Sequence, residues 1–236
     1  MTLKDRRVLV VGGSSGIGFG AARAALADGA AVTIASRSQD RIDAALARLG
    51  AGAEGHVLDT TDEAGVEAFF AARPAFDHVV VSASKTKVAA VRELPLADAY
   101  GSMNSKFWGA YRIARAAKIA DGGSLTLVSG FLSQRPRKGA AIQSAINAAV
   151  EGLTRGLALE FAPVRVNCVS PGLVQTEMYD SLDGDARRTM YENAAARLPA
   201  GLVGTPDHIA VQIMAFIANP YITGSTVYVD GGGLIA

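Results

Sequence analysis

Cysteine is nearly absent from this chain of 236 residues. Cys168 stands alone, so no disulfide can form within it. Histidine is scarce as well, and none of the three shares metal-ligand spacing with Cys168, so no metal is expected. An excess of charge of one sign is lacking too. Lys and Arg number 23 against 22 Asp and Glu, which leaves a net charge of +1 and no global pull toward nucleic acid or a membrane. The one short basic run, "RPRK", is too brief and too poor in aromatics to argue for nucleic acid. No apolar run approaches the ~18 residues of a membrane span. The opening "MTLKDRRVLVVGG" offers only a very short apolar stretch after its charges, too short for a signal peptide. Repeats, low-complexity tracts and linkers are missing. The expectation is one domain over residues 1–236, soluble and cytoplasmic.

What is present is an apolar half of the composition, enough for a sizeable core. Short, nearly all-apolar runs fall at 7–11, 31–35, 55–58, 78–81, 124–128, 164–169 and 226–229. Such strands are buried on both faces, as in a parallel sheet covered by helices. Ala-rich helical segments lie between them, near 17–28, 40–49, 62–72, 96–120, 141–161 and 206–218. Alternating strands and helices with short connections predict a doubly wound, Rossmann-like α/β sheet. The stretch 175–204 is polar and less regular, and reads as a lid over the substrate.

The first strand runs straight into "GGSSGIG" and then into a helix. Glycines at such a turn let the backbone approach a pyrophosphate, and the helix N-terminus offers free N–H groups to it. Gly12, Ser14, Ser15, Gly16, Ile17 and Gly18 are therefore candidates to bind a dinucleotide. An NAD site commonly has Asp or Glu at the end of the second strand. Here the chain offers Ser36, Arg37 and Ser38. A guanidinium matches a 2′-phosphate in geometry and charge, so NADP(H) is the expected cofactor. Asp59, followed by Thr60, ends the third strand, where it either receives the adenine or caps the next helix.

With these residues in view, the sequence resembles the short-chain dehydrogenase/reductases over essentially its whole length. The carrying motifs are "GGSSGIG" at 12–18, "LDTTD" at 58–62, "AAVEGLTRGLALEFAPVRVNCVSPG" at 148–172 and "TGSTVYVDGG" at 223–232. The resemblance implies a seven-stranded parallel sheet, NAD(P) at its carboxyl edge and commonly a tetramer. It also implies that Ser82, Ala83, Asn167, Pro171, Gly172, Val174 and Thr176 line the cofactor or support its nicotinamide half.

The family's Asn–Ser–Tyr–Lys tetrad does not match. Its Tyr position holds Gln143, its Lys position Asn147, its Ser position Gly130 beside Ser129, and its Asn position Lys106, with Asn104 close by. Gln143, Asn147 and Glu151 share one helix face at i, i+4, i+8. The two amides donate and accept hydrogen bonds, and Asn147 suits the nicotinamide ribose, but neither shuttles a proton near neutral pH.

Candidates for the missing chemistry are therefore Lys106, whose ammonium is expected near the Gln143 side chain, together with Ser129, Gln143 and Tyr179. A desolvated lysine gives or takes a proton near neutral pH, and it can also form a Schiff base. Tyr179 follows "SPGLVQTEM" and is a candidate to hang into the substrate pocket. His56 and His78 are read as starting strands, away from the cofactor, and His208 as lying in the first turn of a late helix. Tyr100, Tyr111, Tyr191, Tyr221 and Tyr228 are read as packing residues.

Lys85 and Lys87 after the fourth strand, with Arg135, Arg137 and Lys138 after the fifth, form a basic rim suited to an anionic small-molecule substrate. Two functions follow. One is an NADP(H)-dependent reductase of a carbonyl or enone with an unconventional proton donor. The other is a catalytically inactive NADP(H)-binding sensor, regulator or structural subunit. The long helix carries apolar residues on more than one side, so a homo-oligomer is expected, a dimer at least and a tetramer by preference.

Overall fold

A computed structural model describes residues 2–236. Seven parallel strands form one sheet: β1 (Arg7–Val11), β2 (Ala31–Ser36), β3 (Ala53–Val57), β4 (Phe76–Val81), β5 (Ile119–Val128), β6 (Arg165–Pro171) and β7 (Thr226–Val229). Their order across the sheet is β3-β2-β1-β4-β5-β6-β7. The order reverses between β1 and β4, and ligands in such sheets bind in the crevice beyond the carboxyl ends at that reversal.

The helices are α1 (Gly16–Ala27), α2 (Gln39–Leu49), α3 (Glu63–Ala71), α4 (Leu96–Met103), α5 (Gly109–Ala116), α6 (Ala141–Glu160), α7 (Gly184–Ala195) and α8 (Pro206–Ala218). They cover both faces. Phe19, Ala22, Ile42, Ile209, Ile213 and Phe216, from α1, α2 and α8, pack on one side with Val8, Val10 and Ile34. Phe69, Phe70, Ile113, Val150 and Leu157, from α3, α5 and α6, pack on the other with Leu9, Val79, Leu125 and Cys168. Consecutive residues of the central strands thus serve opposite layers, and for that reason their sequences are apolar throughout. No helix is long and apolar enough to cross a membrane, and no metal-ligand cluster occurs, among the described residues.

Several elements depart from expectation. The single helix expected over 96–120 is α4, a wider π-helical turn (Asn104–Trp108) and α5, and it ends at Ala116 because β5 begins already at Ile119, paired with Phe76. β3 starts two residues early, held in register by Val32 opposite Ala53, so His56 lies near its end and not its start. There the His56 ring meets the Arg73 guanidinium and Phe69. His78 is the third residue of β4; it is buried against the Ser124 hydroxyl at 2.9 Å, and burial pushes it down to about 4. The segment 175–204 is more regular than its composition suggests. It holds a short 3₁₀ turn (Glu177–Tyr179) and α7, and its two ends are pinned by a bridge between Val174 and Gly204.

Candidate active site

The loop after β1 is shaped by close approach. Gly12 has φ +87°, and a Cβ there would lie 2.6 Å from the Ala83 backbone nitrogen. Ser82 and Ala83 both donate backbone N–H groups to Val11 O, at 2.9 and 3.1 Å, which straps the end of β4 against the glycine turn. A Cβ on Gly18 would come within 2.1 Å of Gly12 O. Only glycine fits either position, and the cradle so formed suits a phosphate group. Ser15 supplies the extended residue before α1 but makes no side-chain cap, so the first N–H groups of the helix stay available. One of them is in use: Gly16 N donates to the Glu177 carboxylate of the lid at 2.9 Å. An anion already suits this N–H. Thr176, next in chain to Glu177, sits over the same glycine.

At the end of β2 the Ser14 hydroxyl donates to that of Ser36 at 2.9 Å, and Arg37 is exposed beside them. Asp59 accepts from the backbone and hydroxyl of Thr61; despite desolvation, which raises its pKa, these bonds and the Arg37 charge leave it below the usual carboxylate value. Asp62, not Asp59, caps α3, accepting from Gly65 N, which removes the capping alternative for Asp59. Two expected contacts have other work. Ser38 caps α2 through Arg41 N, and Thr60 is buried against Gly109 of α5. Asn167 is fully buried and ties β6 to the β7 entry through Ile222 O and Ser225 N.

Beyond β5 lies a second polar cluster. Lys106 occupies the π-helical turn, a distortion that often marks a functional position. Its ammonium donates to Ser129 O and to Asn147 Oδ1, both at 2.7 Å. Burial pushes it down to about 8, against the opposing pull of Cys168 and Glu151. Gly130, next to Ser129, lets Asn147 close in: a Cβ there would stand 2.8 Å from Asn147 Nδ2. The expectation that Lys106 meets the Gln143 side chain is corrected. Lys106 bonds to Asn147, one turn further along α6, and Gln143 turns to the Thr86 hydroxyl at 2.9 Å. Ser129 gives its hydroxyl to Glu151. Tyr179 stacks edge-on against Tyr191 of α7 within the lid, 6.0 Å between centroids, and burial raises its pKa.

The basic rim is partly spent. Lys87 pairs with Asp98 at 3.0 Å, and Arg135 donates to Gly233 O at 2.6 Å, leaving Lys85, Arg137 and Lys138 exposed. A cleft of about 410 Å³ lies between α1, the lid and α8, lined by Gly16, Arg23, Glu177 and Arg187. It opens beside the glycine loop and does not include Lys106.

Sequence reasoning missed the surroundings of Glu151. This buried carboxylate accepts from Ser129, Ser133, Ser170 and Tyr228. Tyr228, read as a packing residue, is thus part of the cluster. The signal for Glu151 was its face on α6, shared with Gln143 and Asn147. Nothing local marks its four partners, two of which come from β6 and β7 and two from the segment after β5.

Comparison with known proteins places this geometry. Residues 11–233 match the family model described as enoyl-(acyl carrier protein) reductase. The short-chain dehydrogenase/reductase ucsE of Acremonium sp is 33% identical over 99% of this chain and 97% of its own length. A galactitol 2-dehydrogenase (L-tagatose-forming) of Cereibacter sphaeroides is 32% identical over 94% of this chain and 92% of its own. A crystal structure of a small-chain dehydrogenase in complex with NADPH superposes with a TM-score of 0.82, at 34% identity, covering 98% of this chain and 99% of that one. By its glycine turn, its strand order and its relatives over nearly the full length, the chain belongs to the short-chain dehydrogenase/reductase family.

Proposed function

We propose that this protein is an NADP(H)-dependent oxidoreductase that reduces an activated carbonyl or enone, with Lys106 as the electrophile and proton donor in an atypical active site. The observation that carries the reading is the Lys106 ammonium, desolvated and held by Ser129 O, just past the carboxyl end of β5, and by Asn147 Oδ1 of α6. The glycine cradle, the anion already seated on Gly16 N and the Ser14–Ser36–Arg37 corner fit a dinucleotide with a 2′-phosphate. A similar structure at 34% identity holds NADPH, which supports the same choice here. On this reading all four tetrad positions are replaced, by Lys106, Gly130, Gln143 and Asn147.

When bound beside these residues, NADPH would supply the hydride for the substrate carbon. Lys106 faces the negative charge that develops on the substrate oxygen and can deliver a proton from Nζ. Two of its N–H groups are committed to Ser129 and Asn147, which leaves the third for that oxygen. Asn147 and Gln143 orient and do not titrate. Arg137 and Lys138 favour an anionic substrate. Exposed apolar side chains on α4 and α6, Tyr100 at 70% and Leu159 at 83% among them, support a homo-oligomer of at least two chains. Sedimentation equilibrium at micromolar concentration is expected to show a dimer or tetramer; a monomer contradicts that.

Titration with NADPH, followed by assay of its oxidation against anionic ketones, aldehydes and enones, tests the function. Binding with turnover supports it. The competing reading, a nucleotide-binding sensor or structural subunit, draws on Gln143 being engaged by Thr86 and incapable of acid–base work. Tight binding without turnover selects that reading.

A further inference from the structure

Glu151 is 3% exposed, and its partners are all hydroxyls. Oε1 accepts from Ser133 at 2.6 Å, Ser129 at 2.9 Å and Ser170 at 3.2 Å; Oε2 accepts from Tyr228 at 3.0 Å. These donors come from the segment after β5, from β6 and from β7. A buried carboxylate held from so many directions cannot readily swing. Lys106 is reached from it through a single residue: Ser129 gives its hydroxyl to Glu151 and its carbonyl to Lys106. Asn147, one turn before Glu151 on α6, takes another Lys106 N–H.

A buried ammonium near an unrestrained carboxylate closes into a direct ion pair, which spends the donor that a substrate oxygen needs. A buried ammonium with no counter-charge loses its proton. The hydroxyl clamp avoids both outcomes. We propose that Glu151 is the positioning residue for Lys106: a clamped counter-charge that keeps the ammonium protonated while leaving one of its N–H groups free for substrate. The inference rests on the reading of Lys106 as the electrophile.

The ionisable groups that face Lys106 are Cys168 from β6 and Glu151 from α6. On the neighbouring helices, Asp98 of α4 is taken by Lys87, and Arg112 of α5 by Asn104 and the Thr60 carbonyl. Burial pushes the Cys168 thiol up to about 11, so the thiol brings no negative charge to Lys106 at neutral pH.

The test is titration of the full-length protein by carbon NMR, with labelled lysine Cε and glutamate Cδ. In the unaltered protein the Glu151 Cδ resonance is expected to move with the same midpoint, near pH 8, as Lys106 Cε. In Glu151→Gln the Lys106 midpoint falls by about one unit, and the alkaline limb of the kcat profile falls with it. Glu151→Asp, which keeps the charge, returns both toward the unaltered value. A flat Glu151 signal through the Lys106 midpoint overturns the proposal whether or not the variants fold; so does an unmoved Lys106 midpoint in Glu151→Gln. The NMR reading needs no turnover. If Lys106→Met keeps the full reductase rate, the catalytic assignment fails while the coupling of Glu151 to Lys106 is still measured on its own.

Discussion

Around β1 and β4 the backbone does the polar work; around β5, β6 and β7 buried side chains do it. The first region presents N–H groups at Gly16 and along the start of α1, shaped by glycines that a Cβ would block, and it buries no charge. The second holds Lys106 and Glu151 under a layer of hydroxyls and amides. A backbone cradle tolerates pH, because peptide groups do not titrate. A buried cation responds to it. Binding is therefore expected to survive changes in pH that stop turnover.

Four outcomes sharpen that contrast. The largest belongs to the side-chain region. Lys106→Met, which keeps most of the stem volume, is expected to lower the reductase rate by ~100-fold with NADPH affinity little changed, the scale of losing one oxyanion donor. Stopped-flow rates beside calorimetric binding check it, and a parallel loss of binding would merge the two regions into one. In the unaltered protein the rate is expected to fall about tenfold per pH unit above the Lys106 midpoint near 8, since the protonated form is the active one and is lost as pH rises. Binding of NADPH over the same range should stay level. Next comes Arg37→Ala, expected to weaken NADPH by about tenfold and leave NADH nearly unchanged, as one charge-assisted bond predicts. Equal losses for both cofactors would remove Arg37 from the 2′-phosphate corner. The smallest effect is at the seam. Glu177→Gln removes the lid carboxylate that occupies Gly16 N, and NADPH is expected to bind about threefold more tightly. Weaker binding in that variant would mean that Glu177 helps to order the cofactor and does not compete with it.

The same contrast explains what the sequence revealed. A phosphate cradle is local: Gly12 to Gly18 are contiguous, and their spacing carries their geometry. The doubly wound sheet followed from the alternation of apolar runs and helices. Even Lys106 was legible, through the resemblance, as the residue at the family's tetrad Asn position. Its partner was not, because the hydrogen bond to Asn147 spans 41 residues and depends on a π-helical turn that no propensity marks. The Glu151 clamp joins residues up to 77 positions apart, assembled only when β7 docks beside β6. Lid contacts were equally hidden, since Glu177 reaches Gly16 across 161 residues. Element ends were misjudged where pairing partners decided them, as at Ile119 opposite Phe76.

Cys168, fully buried in β6 between β5 and β7, turns the second region into its own gauge. A thiol reagent can reach that sulfur only after the sheet parts from α6, and burial holds the thiol protonated well beyond neutral pH. Its labelling rate therefore counts openings of the protein one molecule at a time, with no dye or tag attached. Any molecule that binds the closed form alone slows the count by the factor 1 + [L]/Kd. The chain's lone sulfhydryl thus makes a binding assay for substrates whose turnover leaves no optical trace.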